Sequence, residues 1–347
     1  MRANELSTNT RMHAEARSAP AIVAEQLNAN RANVSRIGER LRELQPKVIL
    51  TCARGSSDHA ATYAKYLIET HAGTPTASFA PSVSSVYAAK QNMQGAVFLA
   101  LSQSGKSPDL LASAEAAKDA GTLVIALVNV KDSPLAELAD EVIPLHAGDE
   151  LSVAATKSYI TTLSAIVHLV AAWTESEKLT NALHDLPGQL KSAWELDWRE
   201  AVEMLTTANN FFVIGRGVGL GIAQEAALKF KETAGLHAEA YSAAEVRHGP
   251  MAIVGAGFPV LIFSQDDATR TGVDAVVSDF VSRGAVVAVA GAVYEGTINL
   301  PFIADVPAAT APILFVQSFY KMVNALAVTR GYDPDSPPHL RKVTETV

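Results

Sequence analysis

Residues 48–57 read VILTCARGSS, and residues 210–217 read NFFVIGRG. Each is a short, continuous apolar run that leads into an Arg-Gly pair. This pattern is typical of a strand buried on both faces of a parallel sheet and followed by a turn. The two arginines, Arg54 and Arg216, lie 162 residues apart.

The same offset relates two further pairs of apolar runs. The run VFLALSQ begins at Val97, and PVLIFSQ begins 162 residues later at Pro259. The runs VIAL at Val124 and VVAV at Val286 repeat the relation. Three matches at one spacing indicate an internal duplication, in which one βαβ-type domain occurs twice.

Segments with helical periodicity separate these strands, among them residues 58–70, 108–120 and 133–139. The alternation predicts an α/β fold in which each copy is a mostly parallel sheet flanked by helices. Residues 174–205 are charged and helical in pattern, whereas residues 333–347 contain three prolines and predict an irregular tail. The expected domains are a helical segment plus the first copy at 1–180, the second copy with its leading helical connector at 181–332, and the tail at 333–347.

The composition narrows the possible partners. Lys and Arg number 28 against 36 Asp and Glu, for a net charge of −8, and 48% of the 347 residues are hydrophobic. This is a globular composition, and its acidity argues against nucleic-acid or polybasic membrane binding. Cys52 is the only cysteine, which excludes an intramolecular disulfide and a thiolate metal cluster. With no apolar signal core near residue 1, we expect a cytoplasmic enzyme or binding protein.

Two polar clusters follow predicted strands, where ligands of open α/β sheets bind. Residues 55–57 (Gly-Ser-Ser) are compatible with a phosphate cradle at a helix N-terminus or with a plain serine cap. Residues 102–107 (Ser-Gln-Ser-Gly-Lys-Ser) place three hydroxyls and a glycine in one strand-to-helix turn. A cap needs one hydroxyl, so this second cluster predicts a phosphate site.

Two further stretches of the sequence are considered as nucleotide or metal sites. The glycines of residues 215–221 do not fit G-x-G-x-x-G and are not followed by the Lys-Ser/Thr of a phosphate-binding loop, so we expect no nucleotide. Residues 224–250 are polar, and Glu225, Lys229 and Glu232 share a helical face there. His237, Glu239, Glu245 and His248 follow in a stretch that we interpret as a loop, without the spacing of a zinc site. Neither a cofactor nor a metal is expected.

Four segments carry a family resemblance: SQSGKSPD from Ser102, GDELSVAATKSYITTL from Gly148, EAALKFKETAGLHAEAYSAAEVRHGP from Glu225 and HLRKVTETV from His339. Together they resemble the isomerase half of glucosamine-6-phosphate synthase, which is built from two tandem sugar-isomerase (SIS) domains. The resemblance implies a flavodoxin-like three-layer architecture for each copy. It also implies a homodimer with active sites at the subunit interface and a hexose or hexosamine phosphate as ligand.

The resemblance also implies roles for individual residues. Glu232 matches the base that moves a proton between C1 and C2, and His248 the residue that assists ring opening from across the interface. Lys342 matches the tail lysine that forms a Schiff base with the ketose, and Lys229 the lysine that stabilises enediolate-like charge. The residues that match the sugar and phosphate contacts are Gly55, Ser56, Ser57, Ser102, Gln103, Ser104, Ser107 and Val153.

Departures from the synthase pattern shift the expected reaction. The synthase has a glutaminase domain with a first-residue cysteine, whereas this chain begins Met1-Arg2, so we expect a free-standing glucosamine-6-phosphate deaminase. Ala155, Arg341 and Arg54 replace a serine, a small residue and a cysteine of the synthase. Because these changes surround the sugar, an aldose–ketose phosphosugar isomerase or a fructosamine-6-phosphate deglycase stays open. A non-catalytic sugar-phosphate sensor is the alternative of a different class.

Overall fold

The protein is described by a computed structural model that covers residues 7–342. The chain divides into two compact units, each containing one five-stranded sheet. The first-sheet unit comprises residues 21–149, 157–184 and 341–342, and the second-sheet unit comprises residues 7–20, 150–156 and 185–340. The units therefore interleave along the chain, and the domain bounds expected from the sequence stay a prediction.

In the first half of the chain, the strands of the first sheet alternate with helices. In chain order they are α1 (Arg11–Leu44), β1 (Val48–Cys52), α2 (Ser56–His71), β2 (Thr76–Ser78), α3 (Pro81–Ser85), β3 (Ala96–Ser102), α4 (Pro108–Asp119), β4 (Leu123–Val128), α5 (Pro134–Leu138), β5 (Glu141–Pro144) and α6 (Lys157–Thr174). The sheet order is β2-β1-β3-β4-β5, and every pairing is parallel.

The second half of the chain repeats this arrangement. Its elements are α7 (Glu177–Glu195), α8 (Arg199–Leu205), β6 (Asn210–Gly215), α9 (Gly219–Ala234), β7 (His237–Ser242), two 3₁₀ turns (Glu245–His248 and Pro250–Ile253), β8 (Pro259–Phe263), α10 (Arg270–Ser282), β9 (Val286–Ala290), β10 (Ile298–Leu300) and α11 (Ala311–Thr329). The sheet order is β10-β9-β8-β6-β7, again all parallel.

Both sheets have the strand order 2-1-3-4-5 within their own copy, which is the flavodoxin-like order. The register keeps the sequence offset: Thr51 pairs with Leu99, and Val213 pairs with Leu261, 162 residues later in both strands. The predicted α/β fold with two tandem, largely parallel sheets is confirmed.

The apolar runs are central strands. Every residue of β3 and β4 is buried, because helices cover both faces of the sheet. Helix α11 is the one helix among residues 7–342 that is long and apolar enough to cross a membrane, but 83% of that segment is buried inside the structure. Its composition is therefore that of a core helix.

The interpretation of residues 237–248 as one loop was wrong for its first half. His237–Ser242 form strand β7, which pairs with β6 along its whole length. The strand lies at the edge of its sheet and leaves His237 and Glu239 exposed, so its sequence has too few apolar residues to be recognised. Pairing with a neighbouring strand determines its conformation.

Candidate active site

The two polar clusters that were predicted from the sequence lie at the carboxyl ends of two adjacent strands. Residues 55–57 follow β1, residues 102–107 follow β3, and these strands pair directly. Within the sheet, β2 lies next to β1 on one side and β3 lies next to β1 on the other. Ligands of such sheets bind in the crevice at this topological switch point. The structure thus brings the two predicted phosphate-binding clusters to one edge of one sheet.

The loop after β3 is held rigid by its neighbours. Gly105 has φ +64°, and a Cβ there would lie 2.2 Å from the Ser133 hydroxyl oxygen, so no other residue fits. Backbone N–H groups that follow β4 donate to three carbonyls here: Asn129 to Ser102, Val130 to Gln103, and Leu135 of α5 to Gly105. The Ser102 hydroxyl oxygen accepts from the Gly105 N–H at 2.9 Å.

The N-cap residues of the two helices at this edge make no side-chain capping hydrogen bond. Ser107 is the N-cap of α4 but makes no capping hydrogen bond, because the carboxylate of Asp109 accepts from the Leu110 N–H at 2.8 Å. Gly55, with φ +56° and ψ −131°, is the N-cap of α2. The plain serine cap considered for residues 55–57 is therefore wrong. Two helix N-termini and a set of hydroxyls at one sheet edge are suited to a phosphate.

A buried charge cluster lies in the second-sheet unit, on α9. The Lys229 Nζ contacts Glu225 Oε1 at 3.3 Å and Glu232 Oε2 at 2.5 Å, and Lys229 is only 1% exposed. Burial alone lowers the pKa of Lys229, but the two adjacent carboxylates outweigh it, and the net pKa is raised. Lys229 is therefore a permanent cation. It is suited to electrostatic stabilisation and not to proton transfer.

Glu232 is the member of this cluster that reaches solvent. Its side chain is 22% exposed, whereas Glu225 is fully buried. Among the residues that the structure describes, only Oε2 of Glu232 is engaged, by Lys229, and Oε1 has no hydrogen bond. A carboxylate anchored through one oxygen and open at the other is the geometry of a positioned general base.

Sequence reasoning placed Glu225 on this helical face without assigning it a role. Its Oε1 accepts a hydrogen bond from the Tyr320 hydroxyl at 3.0 Å, which ties the cluster to α11. The Thr233 hydroxyl donates to the Lys229 carbonyl at 2.7 Å. The spacing of Glu225 from Lys229 was visible in the sequence, but the burial of Glu225 and its hydrogen bond to α11 were not.

The remaining candidates lie elsewhere on the chain. His248 is exposed at the end of the first 3₁₀ turn, and Val153 lies half-buried in the segment 150–156. Lys342 is half-buried and is the last residue that the structure describes. The predicted roles of these residues stay predictions.

The segment around Val153 is clasped by two distant parts of the same unit. Glu15 of α1 accepts from the Leu151 N–H, and the Asp335 carbonyl accepts from the Val153 N–H at 3.2 Å. The Asp335 carboxylate also accepts from the backbone N–H groups of Arg11 and Met12, at 2.7 and 2.8 Å. Sequence reasoning assigned no role to Glu15 or Asp335. We call residues 150–153, Glu15 and Asp335 the clasp.

Cys52 lies inside β1 and is 1% exposed. Burial raises the pKa of its thiol to about 12. The thiolate is the reactive form of cysteine, so Cys52 is not suited to be a nucleophile at neutral pH.

The second sheet has its own switch point, between β6 and β8, and protein side chains fill it. Gln265 Nε2 donates to the Arg216 carbonyl at 2.7 Å and approaches the Thr269 hydroxyl at 3.1 Å. A Cβ on Gly219 would lie 2.5 Å from Gln265 Oε1. The turn after β8 is therefore occupied by the Gln265 side chain.

Comparison with known proteins identifies the class. The SIS domain family matches residues 44–172 and 204–292, which together make up more than half of the chain. The protein belongs to the SIS-domain family. Among curated proteins it is 34% identical to a glutamine–fructose-6-phosphate aminotransferase (isomerizing) of Pyrobaculum aerophilum, over 83% of this chain and 50% of that protein. The chain spans about half the length of the curated relatives it matches.

Solved structures agree with this placement. A structure from Silicibacter pomeroyi, described as a proposed phosphosugar isomerase, is 42% identical with a TM-score of 0.90, covering 94% of this chain and 100% of the other. The C-terminal domain of a glucosamine-fructose-6-phosphate aminotransferase from Francisella tularensis is 25% identical with a TM-score of 0.86. That match covers 95% of this chain and 98% of that domain. The resemblance stated from the sequence motifs is confirmed.

Proposed function

We propose that this protein is an enzyme that shifts a carbonyl between C1 and C2 of a hexosamine 6-phosphate, acting as a glucosamine-6-phosphate deaminase. The buried cluster of Glu225, Lys229 and Glu232 carries this proposal. It supplies a fixed base and a fixed cation, the two groups that proton transfer next to a carbonyl needs. Similarity to aminotransferases named for fructose 6-phosphate supports the choice of sugar.

In this reaction Glu232 removes the proton from C2 of the open-chain amino sugar. The C–H electron pair forms a C1–C2 double bond, and the C1 carbonyl oxygen takes up a proton from solvent to become a hydroxyl. Glu232 then returns the proton to C1, and the C2 nitrogen releases a proton to solvent, which leaves an imine at C2. Lys229 holds Glu232 through one oxygen and stabilises negative charge that develops on the substrate oxygen.

Release of ammonia completes the reaction. The amine of Lys342 attacks C2 of the imine, the original C–N bond breaks, and ammonia leaves. Water then adds to the resulting Schiff base, frees Lys342 and gives fructose 6-phosphate. His248 assists opening of the sugar ring. The loop 102–107 and residues 55–57 hold the phosphate.

We also propose that the protein is a cytoplasmic homodimer with active sites at the subunit interface, and that it needs no cofactor or metal. His248 is then supplied by the partner subunit. Its exposure at the end of a 3₁₀ turn, before Gly249 with φ +141°, is consistent with a residue presented to another chain.

The direct test incubates the purified protein with glucosamine 6-phosphate and measures ammonia and fructose 6-phosphate, which we expect in equal amounts. Conversion of fructose 6-phosphate to an aldose phosphate without ammonia identifies an isomerase instead. Release of an amine from a fructosamine 6-phosphate identifies a deglycase. Binding of these sugars without turnover of any of them identifies a sensor.

A variant tests the base. We expect Glu232→Gln to lower kcat by roughly 10²- to 10⁴-fold, the usual contribution of a positioned base, with an unchanged dissociation constant for inorganic phosphate. Glu239→Gln, on the exposed edge strand β7, is the matched control and should keep full activity. Near-normal turnover by Glu232→Gln removes Glu232 from the mechanism.

A further inference from the structure

Arg54 stands at the carboxyl end of β1, directly before the Gly55 N-cap of α2. Its Nε and Nη2 both donate to Asp109 Oδ2, the Nε bond being 2.7 Å long. The Arg54 side chain is 50% exposed, whereas Asp109 is fully buried. The guanidinium thus lies over the first turn of α4, the helix that follows the loop 102–107.

Asp109 fixes this arginine on a rigid base. Its other oxygen, Oδ1, accepts from the Leu110 N–H, and its carbonyl accepts from the Ser113 hydroxyl at 2.7 Å. The carboxylate takes two of the five N–H groups of Arg54. The others make no hydrogen bond within residues 7–342, and the side chain is half exposed, so they are available to a ligand.

The duplicated copy has no such pair. Arg216 is the counterpart of Arg54, but the residue that corresponds to Asp109 is Thr271. Arg216 packs instead against Gly272, where a Cβ would lie 1.9 Å from its Nη1. The arginine held by a buried carboxylate therefore follows β1 but has no counterpart after β6. It is absent where the second switch point is filled by Gln265.

We propose that Arg54 binds the substrate phosphate and that Asp109 is the positioning residue that presents it. The inference deepens the proposed function, since it adds the fixed charge that selects a phosphorylated sugar. The hydroxyls and amides of the loop carry no net charge, and Lys106 is a flexible, exposed side chain. A guanidinium held on one side can offer its other N–H groups to phosphate oxygens as a pair, which an ammonium cannot.

The test measures the dissociation constant of inorganic phosphate by titration calorimetry, together with KM and kcat. For Arg54→Ala we expect the dissociation constant of inorganic phosphate to rise by roughly 10- to 100-fold. This rise corresponds to the typical net strength of hydrogen bonds to charged groups. KM for the sugar phosphate should rise in parallel, with kcat changed by less than about threefold. Arg54→Lys should recover only part of the loss, because it keeps the charge without the planar fork.

Arg216→Ala is the matched control, at the corresponding position of the other copy, and should leave the phosphate dissociation constant unchanged. Asp109→Asn keeps the shape of the side chain and should weaken phosphate binding less than Arg54→Ala does. If Arg54→Ala unfolds at a lower temperature but binds phosphate within twofold of the parent protein, the pair is only structural and the proposal is overturned.

This outcome is separate from that of the proposed function. Phosphate binding by calorimetry requires no turnover. A protein that releases no ammonia from glucosamine 6-phosphate, yet loses phosphate affinity on Arg54→Ala, refutes the deaminase and supports Arg54 as a phosphate ligand. If the Arg54→Ala variant releases ammonia normally and its KM is unchanged, the role of Arg54 is refuted and the deaminase proposal is unaffected.

Discussion

Lys229 combines full burial with a retained positive charge. It is buried, yet it stays charged because Glu225 and Glu232 lie on either side of it along α9. The same contacts fix the position of Glu232. A buried cation of this kind cannot be removed without leaving two carboxylates uncompensated.

Lys229→Met should therefore reduce the free energy of unfolding by about 3–5 kcal/mol, the usual cost of breaking a buried pair. Urea unfolding monitored by circular dichroism measures it. Lys231→Met changes an exposed lysine two residues away and should cost less than about 0.5 kcal/mol. Adding Glu225→Gln to Lys229→Met should restore part of the loss, since it removes one of the unpaired charges. Equal stability of the two single variants contradicts this account.

His168 on α6 is a pH-sensitive residue outside the candidate site. Burial, and secondly the charge of Arg31, lowers its pKa to about 4. The unfolded chain therefore binds this proton at a higher pH than the folded protein does, so stability falls as the pH falls from about 6.5 toward 4. Between pH 7 and 5 the expected contribution is about 1–2 kcal/mol of lost unfolding free energy.

The measurement compares urea unfolding at pH 7 and pH 5 for the parent protein and His168→Gln. The variant should lose less stability on acidification, because it has no proton to take up. His237→Gln, at an exposed position on β7, is the control and should behave as the parent does. An identical pH response of His168→Gln and the parent protein argues against the lowered pKa.

At the scale of elements, the clasp joins the start of α1, the segment around Val153 and the tail. The Asp335 carboxylate satisfies two N–H groups at the beginning of α1, as an N-cap does, although it lies 323 residues from Met12 in sequence. Lys342 lies seven positions after Asp335, a reach of at most about 25 Å along the chain. The clasp therefore limits the space that Lys342 can explore.

Asp335→Ala should lower kcat by more than tenfold, because a released tail delivers Lys342 less often, while the phosphate dissociation constant stays unchanged. Loss of the cap should also cost about 1–2 kcal/mol of unfolding free energy. Steady-state kinetics and urea unfolding measure the two effects. Ser336→Ala, at the next and exposed residue of the tail, should change neither. Full activity of Asp335→Ala shows that the clasp has no part in turnover.

At the scale of the whole molecule, the proposed dimer predicts complementation between inactive subunits. If His248 comes from the partner, mixing Glu232→Gln with His248→Ala gives mixed dimers in which one of the two sites is intact. Half of the dimers in an equal mixture are mixed, so the activity should recover to about a quarter of the parent value. Activity assays after refolding the two variants together measure it.

Controls make this complementation test specific. Each variant refolded alone should remain inactive, and light scattering should give the mass of a dimer for all samples. A dimer without recovered activity places Glu232 and His248 of one site on the same chain.

The duplication was predictable because buried parallel strands consist of continuous apolar residues, and these runs recur in the sequence at one fixed spacing. The repeat of Arg54 at Arg216 and the hydroxyl-rich loop after β3 were equally visible, since a strand end and its turn are local features. Strand β7 was missed for the opposite reason. Its residues are polar, and only pairing with β6 makes them a strand.

The amino-acid order alone thus determined two parallel sheets, their 162-residue repeat and the polar turn for which we propose a phosphate-binding role. Tertiary structure alone decided that Arg54 is held by Asp109, 55 residues away, and that Glu225 is bonded to Tyr320, 95 residues away. Local periodicity can predict which residues share a helix face or a strand end. It cannot predict which distant groups come into hydrogen-bonding distance, because that depends on how whole elements pack.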